Sequence, residues 1–187
     1  TSMEEVFKNY SNINPYIGTD KCSRHSYHLV YDQLFNEYRN KPIQLLEIGV
    51  MSGASLLGWA DYFTHPDTVI TGIDITFEHM NVVLTDKRLN FLIKDGTKKD
   101  DVVSGKFNFI IDDGSHRCVD QLSSFVLYKD SLVHGGLYII EDVQTIEFAE
   151  LLCEFGRNIG FDAFAHDLRD VKNRQDDLLV VLKRTRA

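Results

Sequence analysis

The chain has 187 residues, 43% of them hydrophobic, which is enough for one well-cored domain and too few for two of ordinary size. A net charge of −8 argues against a nucleic-acid backbone as partner, and the short basic pairs Lys98-Lys99 and Lys183-Arg184 read as solvated charge. Cys22, Cys118 and Cys153 are odd in number and lack a CxxC pair, so neither a disulfide framework nor a zinc knuckle is expected, and a reducing, cytoplasmic setting is the default. No apolar run approaches the ~18 residues of a membrane span and no signal-peptide layout opens the chain, so no membrane partner is expected.

Thr1 and Ser2 precede Met3 and are left out of the fold reading. Residues 4–23 predict a short helical piece and then a loop marked by Asn12, Asn14, Pro15 and Gly18. Tyr27, Val30, Tyr31, Leu34, Phe35 and Tyr38 recur at helical spacing and predict an amphipathic helix over 24–38. Residues 43–48 form a first apolar strand that runs into the glycine loop from Gly49 to Gly53. The helix after it carries Leu56, Leu57, Trp59, Ala60 and Phe63 and stops near His65-Pro66. Trp59, the one tryptophan, reads as core.

Residues 69–74 are a second strand ending on Asp74, with a helix expected from Phe77 to Leu84. Residues 89–93 are a third strand, followed by Lys94-Asp95-Gly96, and residues 107–111 a fourth that runs into Asp112-Asp113-Gly114-Ser115-His116. A helix bearing Val119, Leu122, Val126 and Leu132 follows. A Gly135-Gly136 turn then leads into a fifth strand, Leu137 to Ile140, ending on Glu141-Asp142. Phe148, Leu151, Leu152 and Phe155 mark a helix ending at Gly156 or Gly160. Residues 161–166 and 178–183, joined by a charged loop with no evident helix, are expected to pair as an antiparallel hairpin at the sheet edge.

The alternation implies an α/β fold, a mostly parallel seven-stranded sheet with an antiparallel C-terminal hairpin and helices on both faces. All 187 residues are taken as a single domain, with 1–40 as a helical cap or lid and 41–187 as the core.

Glu47, Asp74, Asp95, Asp112, Asp113, Glu141 and Asp142 all fall at or just past strand ends, and parallel strands gather such ends on one rim, where open α/β sheets bind ligands. Gly49 and Gly53 allow a tight turn and close approach of a ligand to a helix N-terminus, and Asp74 is well placed for ribose hydroxyls. A nicotinamide-dependent oxidoreductase would share the glycine loop and Asp74. The GxGxxG spacing is absent, however, and that reading leaves the Glu141-Asp142 pair without a role. A non-catalytic binding module on the same fold is a further alternative, against which the intact set of acids and His116 argues.

Gly18-Thr19-Asp20-Lys21 with His25, Tyr27 and Tyr31, then Leu46-Glu47-Ile48-Gly49-Val50, the stretch from Ile110 to His116, and that from Gly135 to Asp142 together resemble class I, Rossmann-like S-adenosylmethionine-dependent methyltransferases, in particular the macrolide-sugar O-methyltransferases of the mycinamicin and macrocin type. The resemblance covers roughly residues 18–145 in matching order. It implies Mg²⁺-dependent transfer of a methyl group from S-adenosyl-L-methionine to a hydroxyl of a sugar or glycosylated small molecule, in an assembly compatible with a homo-oligomer. Carried over by motif, the metal ligands are Asp113, Glu141 and Asp142 and the general base is His116. Hard carboxylate oxygens suit Mg²⁺ independently of the resemblance. An imidazole of ordinary pKa ~6.5 suits proton removal near neutrality.

Glu47, Gly49, Gly53, Asp74, Asp95 and Asp112 fall on the cofactor side. Asp95-Gly96 stands where such enzymes meet the adenine ring, a plain turn being the other reading. Lys21 can close on the methionine carboxylate or stand exposed. Asp112 either serves the cofactor side or shares the metal. Relatives often have a second His where Asp120 precedes Gln121, and a Pro where His134 precedes the paired glycines.

Overall fold

The structure is a computed structural model that describes residues 2–11 and 18–185; the loop expected at Asn12, Asn14 and Pro15 lies outside the described residues. Seven strands form one sheet in the order β3-β2-β1-β4-β5-β7-β6: β1 Gln44–Ile48, β2 Val69–Asp74, β3 Leu89–Ile93, β4 Phe107–Asp112, β5 Leu132–Ile140, β6 Phe161–Asp167 and β7 Leu178–Arg184. The first five are parallel, and β7 runs antiparallel to β5 on one side and to β6 on the other. The C-terminal hairpin therefore closes the sheet with β6 outermost.

Side chains alternate along each central strand and so feed two cores. Leu45, Phe109, Ile111, Ile139 and Val181 face the helices α1 Met3–Phe7, α2 His28–Phe35 and α3 Ala54–Tyr62. Leu46, Ile110, Tyr138, Ile140 and Val180 face α4 Cys118–Tyr128 and α5 Ile146–Asn158. Trp59 is fully buried against Phe7, Tyr31 and Phe35, with ring centroids 4.8–5.6 Å apart, in keeping with its reading as core. The N-terminal elements supply part of this first core, and Ser2 belongs to the fold after all. Its hydroxyl caps α1 by accepting the Glu5 N–H at 3.2 Å.

Several expectations need correction. The helix expected from Phe77 to Leu84 does not form. Ile75, Phe77 and Val83 are more than 60% exposed, and only Met80 and Leu84 reach the core, so the spacing has no apolar stripe to bury and the β-branched Val82-Val83 pair weakens it further. Gly135 and Gly136 lie inside β5 instead of in a turn before it. They span a register irregularity against β4, and Gly136 has no room for a side chain because Cβ would come 2.9 Å from a backbone carbonyl. The charged loop between β6 and β7 contains one short helix, α6 Arg169–Lys172. The helix expected over 24–38 is also shorter, starting at His28, with the segment before it folded into turns, and the helix expected to carry Leu132 ends at Tyr128, so that Leu132 opens β5.

Register places the strand ends side by side. Ile48 lies opposite both Ile73 and Asp112, and Asp112 lies opposite Ile140. Gly49, Asp74, Asp112-Asp113 and Glu141-Asp142 consequently share one rim. Among the described residues no helix is long and apolar enough to cross a membrane.

Candidate active site

A cleft of about 390 Å³ opens at this rim between the loops that follow β1, β2, β3 and β4. Ile48, Ile73 and Ile75 give it apolar walls, while Asp74, Asp95 and Asp112 face it with carboxylates. Its floor is the glycine loop. Gly49 has φ +82°, and a Cβ there would sit 2.3 Å from the Asp113 carbonyl oxygen, so only glycine lets the β1 and β4 loops meet. Asp74 ties the loop down through one carboxylate oxygen, which accepts the N–H groups of Val50 at 3.0 Å and Met51 at 2.8 Å. Asp95 holds its own turn by accepting from the backbone and hydroxyl of Thr97, bonds that keep its carboxyl below the usual range.

Beside the cleft lies a cluster of acids. Lys21 is completely buried, and its Nζ contacts carboxylates from three strand ends: Glu47 at 3.0 Å, Asp113 at 3.1 Å and Glu141 at 2.9 and 2.8 Å. Tyr31 donates to Glu141 as well, and Ser55 and Trp59 donate to Glu47. Tyr27 both donates to the Asp142 carboxylate and accepts the Asp142 N–H at 3.0 Å. His25 bridges two acids, with Nε2 3.1 Å from Asp142 and Nδ1 2.8 Å from Asp177. His116 places Nε2 2.9 Å from Asp142 and 3.3 Å from Asp113. Met51, His116 and Asp142 adopt left-handed backbone conformations, unusual for residues with side chains and concentrated at this rim.

The electrostatics follow from burial and crowding. Burial opposes the charge of Lys21, yet Asp113, Glu141 and Glu47 hold its pKa well above the ordinary lysine range. Burial opposes ionisation of Asp113 too, but Lys21 and His116 pull its pKa well below the usual carboxylate range. Burial, then the Asp113 charge, pushes Asp142 up. Asp112 is raised to about 7, chiefly by burial. Hydrogen bonds to Asp113 and Asp142 raise His116 to about 11, so in this state it is a cation.

The donor set fits a small divalent cation. Carboxylate oxygens of Asp113 and Asp142 lie within 4.8 Å of one another and of a His116 ring nitrogen, giving two hard ligands with an imidazole beside them. A second grouping, His25, Asp142 and Asp176, fits less well because both nitrogens of His25 already face carboxylates. The cleft fits a nucleoside in turn, with apolar walls for a flat base and acids at the rim for hydroxyls.

The structure brings Gly49, Asp74, Asp95, Asp112 and Asp113 into the cleft wall, with Asp142 and His116 beside it. It does not bring Glu47, Gly53 or Lys21 there. Glu47 and Lys21 are buried against each other, and Gly53 is the N-cap of α3, where a Cβ would meet the side chains of Met80 and Val82. Glu141 stands apart from the Asp113–His116–Asp142 group because Lys21 and Tyr31 hold both its oxygens. Sequence reasoning misses Gln121, which lines the cleft and donates to the Glu141 carbonyl at 3.1 Å while its buried Oε1 has no partner among the described residues. Its place after Asp120, where the resemblance implies a His, is the available signal.

A scan of family models finds none that matches the chain. In sequence the chain is 29% identical over 140 residues to 8-demethyl-8-alpha-L-rhamnosyl tetracenomycin-C 2'-O-methyltransferase of Streptomyces olivaceus, covering 68% of this chain and 36% of that protein. It is 34% identical over 124 residues to mycinamicin VI 2''-O-methyltransferase of Micromonospora griseorubida, covering 62% and 31%. The chain thus spans about a third of the length of these curated relatives. In structure it resembles the MycE methyltransferase of the mycinamycin biosynthetic pathway, solved in complex with Mg and SAH, with a TM-score of 0.71 at 22% identity over 98% of this chain and 55% of that one. The chain has the Rossmann-like fold seen in class I methyltransferases, and in sequence it resembles the sugar O-methyltransferases of the mycinamicin and macrocin type.

Proposed function

We propose that the chain transfers a methyl group from S-adenosylmethionine to a hydroxyl of a sugar or glycosylated small molecule, with Mg²⁺ at the acid rim. One observation carries the reading: a nucleoside-sized cleft and a carboxylate group suited to a dication adjoin, with adjacent residues Asp112 and Asp113 at the join. The curated relatives act on sugar hydroxyls by their names, and MycE was solved with Mg and SAH.

When bound, the sulfonium cofactor supplies an electrophilic methyl group, and the cation lowers the pKa of the acceptor hydroxyl and orients it. Asp74, already tying the glycine loop, is the residue for the ribose, and Ile48, Ile73 and Ile75 enclose the base. Asp113 and Asp142 would hold the cation, with Glu141 nearby on Lys21. His116 is the residue to receive the hydroxyl proton at Nε2. Asp113 and Asp142 hold it charged as the chain stands, so it can accept only when those carboxylates are drawn to a cation. The acceptor would approach over an open groove between α4 and α5 that begins at His116 and continues along Val119, Leu122, Phe148 and Leu151. Those side chains suit an apolar body attached to the sugar.

Calorimetry with S-adenosylhomocysteine and NAD, each with Mg²⁺ or EDTA, tests the reading. S-adenosylhomocysteine is expected to bind and to raise Tm, by ~2.7 kcal/mol of stabilisation at a hundredfold excess over Kd. Binding of NAD and not of S-adenosylhomocysteine would overturn it.

A further inference from the structure

Lys21 stands outside the cofactor cleft, yet it is the most thoroughly engaged cation in the site. It has no exposed surface and touches acids from β1, the β4 loop and the β5 end, which belong to three different strand ends. Carboxylates packed that closely repel unless a cation lies between them, and a buried acid deprived of its partner is strongly destabilising. Both oxygens of Glu141 face the Lys21 ammonium, whereas the Asp142 carboxylate, 2.9 Å from His116, does not contact it.

We propose that Lys21 is a positioning residue: a fixed counter-cation that holds Glu47, Asp113 and Glu141 together and confines the divalent-cation seat to the Asp113–Asp142 side of the rim. The part that concerns the metal rests on the reading under Proposed function. Two consequences of opposite sign follow. Without Lys21 the metal-free rim carries two buried carboxylates, Glu47 and Glu141, crowded against the partly buried Asp113, so the metal-free protein is less stable. The same change removes a like charge beside the dication and frees Glu141 Oε1, Tyr31 still holding Oε2, so Mg²⁺ binds more tightly. A residue that merely shaped the ligands would weaken metal binding when removed.

The test compares the whole chain with Lys21→Met and with Lys21→Met/Glu47→Gln, measuring Tm in EDTA and Mg²⁺ affinity by calorimetry. Lys21→Met is expected to lower the metal-free Tm, to bind Mg²⁺ at least tenfold more tightly than wild type, and to recover its Tm in Mg²⁺. The double variant, which removes one charge of each sign, is expected to regain part of the metal-free Tm. An unchanged Tm in EDTA for Lys21→Met, or Mg²⁺ affinity equal to or weaker than wild type, overturns the proposal. Should Lys21→Met fail to fold, recovery of folding by Glu47→Gln supports it and failure to recover refutes it. If wild type binds S-adenosylhomocysteine but no Mg²⁺, the metal reading falls, and the Tm comparison of the single and double variants still decides whether Lys21 is the counter-cation.

Discussion

Replacing Asp112 with asparagine should stabilise the metal-free protein, and only above acidic pH. Asp112 ends β4 with 3% of its surface exposed, and its Oδ1 accepts the Gly114 N–H at 2.9 Å. Burial, reinforced by the charges of Asp113 and Asp142, raises its pKa from an ordinary 3.8 to about 7 against the opposing pull of the Gly114 N–H and His116. An acid whose folded pKa exceeds its unfolded one holds its proton more tightly when folded. Its contribution to stability is therefore full below about 3.8, declines as pH rises, and is lost above about 7. At ~1.4 kcal/mol per pH unit that interval amounts to something on the order of 4 kcal/mol. For a chain of this size each kcal/mol moves Tm by ~2–4 °C, giving a shift of about 10 °C. Asparagine has the same shape, keeps an acceptor for Gly114 and carries no charge. Thermal unfolding of both proteins in EDTA, followed from acid to mildly alkaline pH, reads the difference. His25, His116 and the remaining acids titrate in both proteins and largely cancel. The gap should open as pH rises and level off above about 7. Parallel curves across the whole range would refute the claim that ionised Asp112 is a buried liability.

Gly49→Ala should cost at least ~2 kcal/mol by denaturant midpoint and abolish S-adenosylhomocysteine binding, because the new Cβ meets backbone 2.3 Å away at a positive φ that disfavours alanine. Asp113→Ala should reduce turnover by about a thousandfold or more, on the scale of a lost electrostatic element in a transition state, with calorimetry showing S-adenosylhomocysteine affinity within a few-fold of wild type. Metal-independent turnover in wild type would retire its assignment to the cation. Phe148→Ser, on the groove beside His116, should raise KM for glycosides with an apolar body by ~10-fold or more and leave KM for the bare sugar nearly unchanged; equal effects on both would remove the groove from acceptor binding.

Much of the fold was legible because its signals are local. Each central strand is a short apolar run ending on an acid, and parallel connectivity then carries those ends to one rim. The run from Phe107 to Asp112 could be read with no knowledge of its neighbours. What misled was also local. Phe77, Met80 and Leu84 keep helical spacing, but whether a spacing becomes a helix depends on an apolar surface to receive it, and only Met80 and Leu84 find one. The Gly135-Gly136 pair suggests a turn because glycine permits turns, whereas here Gly135 permits a left-handed φ of +78° and Gly136 permits close packing of β5 against β4. The environment of Lys21 was least legible. Its partners Asp113 and Glu141 stand 92 and 120 positions away, so no window of sequence contains the ammonium and its acids together.

Those distant contacts bear on how the site keeps its shape. Lys21, His25, Tyr27 and Tyr31 belong to one short N-terminal stretch, and each engages an acid at a strand end. Asp142 is in a left-handed conformation that costs an unconstrained aspartate ~1 kcal/mol or more, yet both its N–H and its carboxylate are tied to the Tyr27 hydroxyl. His116, likewise left-handed, is held by two carboxylates, and Met51 by Asp74. The strained residues are thus fixed by bonds internal to the chain, and the carboxylates need not be gathered by an incoming ion. A rim assembled in this way incurs its reorganisation cost during folding instead of at each binding event, which favours a weakly held, exchangeable cation over a structural one. The prediction that removing Lys21 tightens Mg²⁺ follows from the same balance: a permanent charge sits on Glu141, which would otherwise offer the proposed seat a third carboxylate.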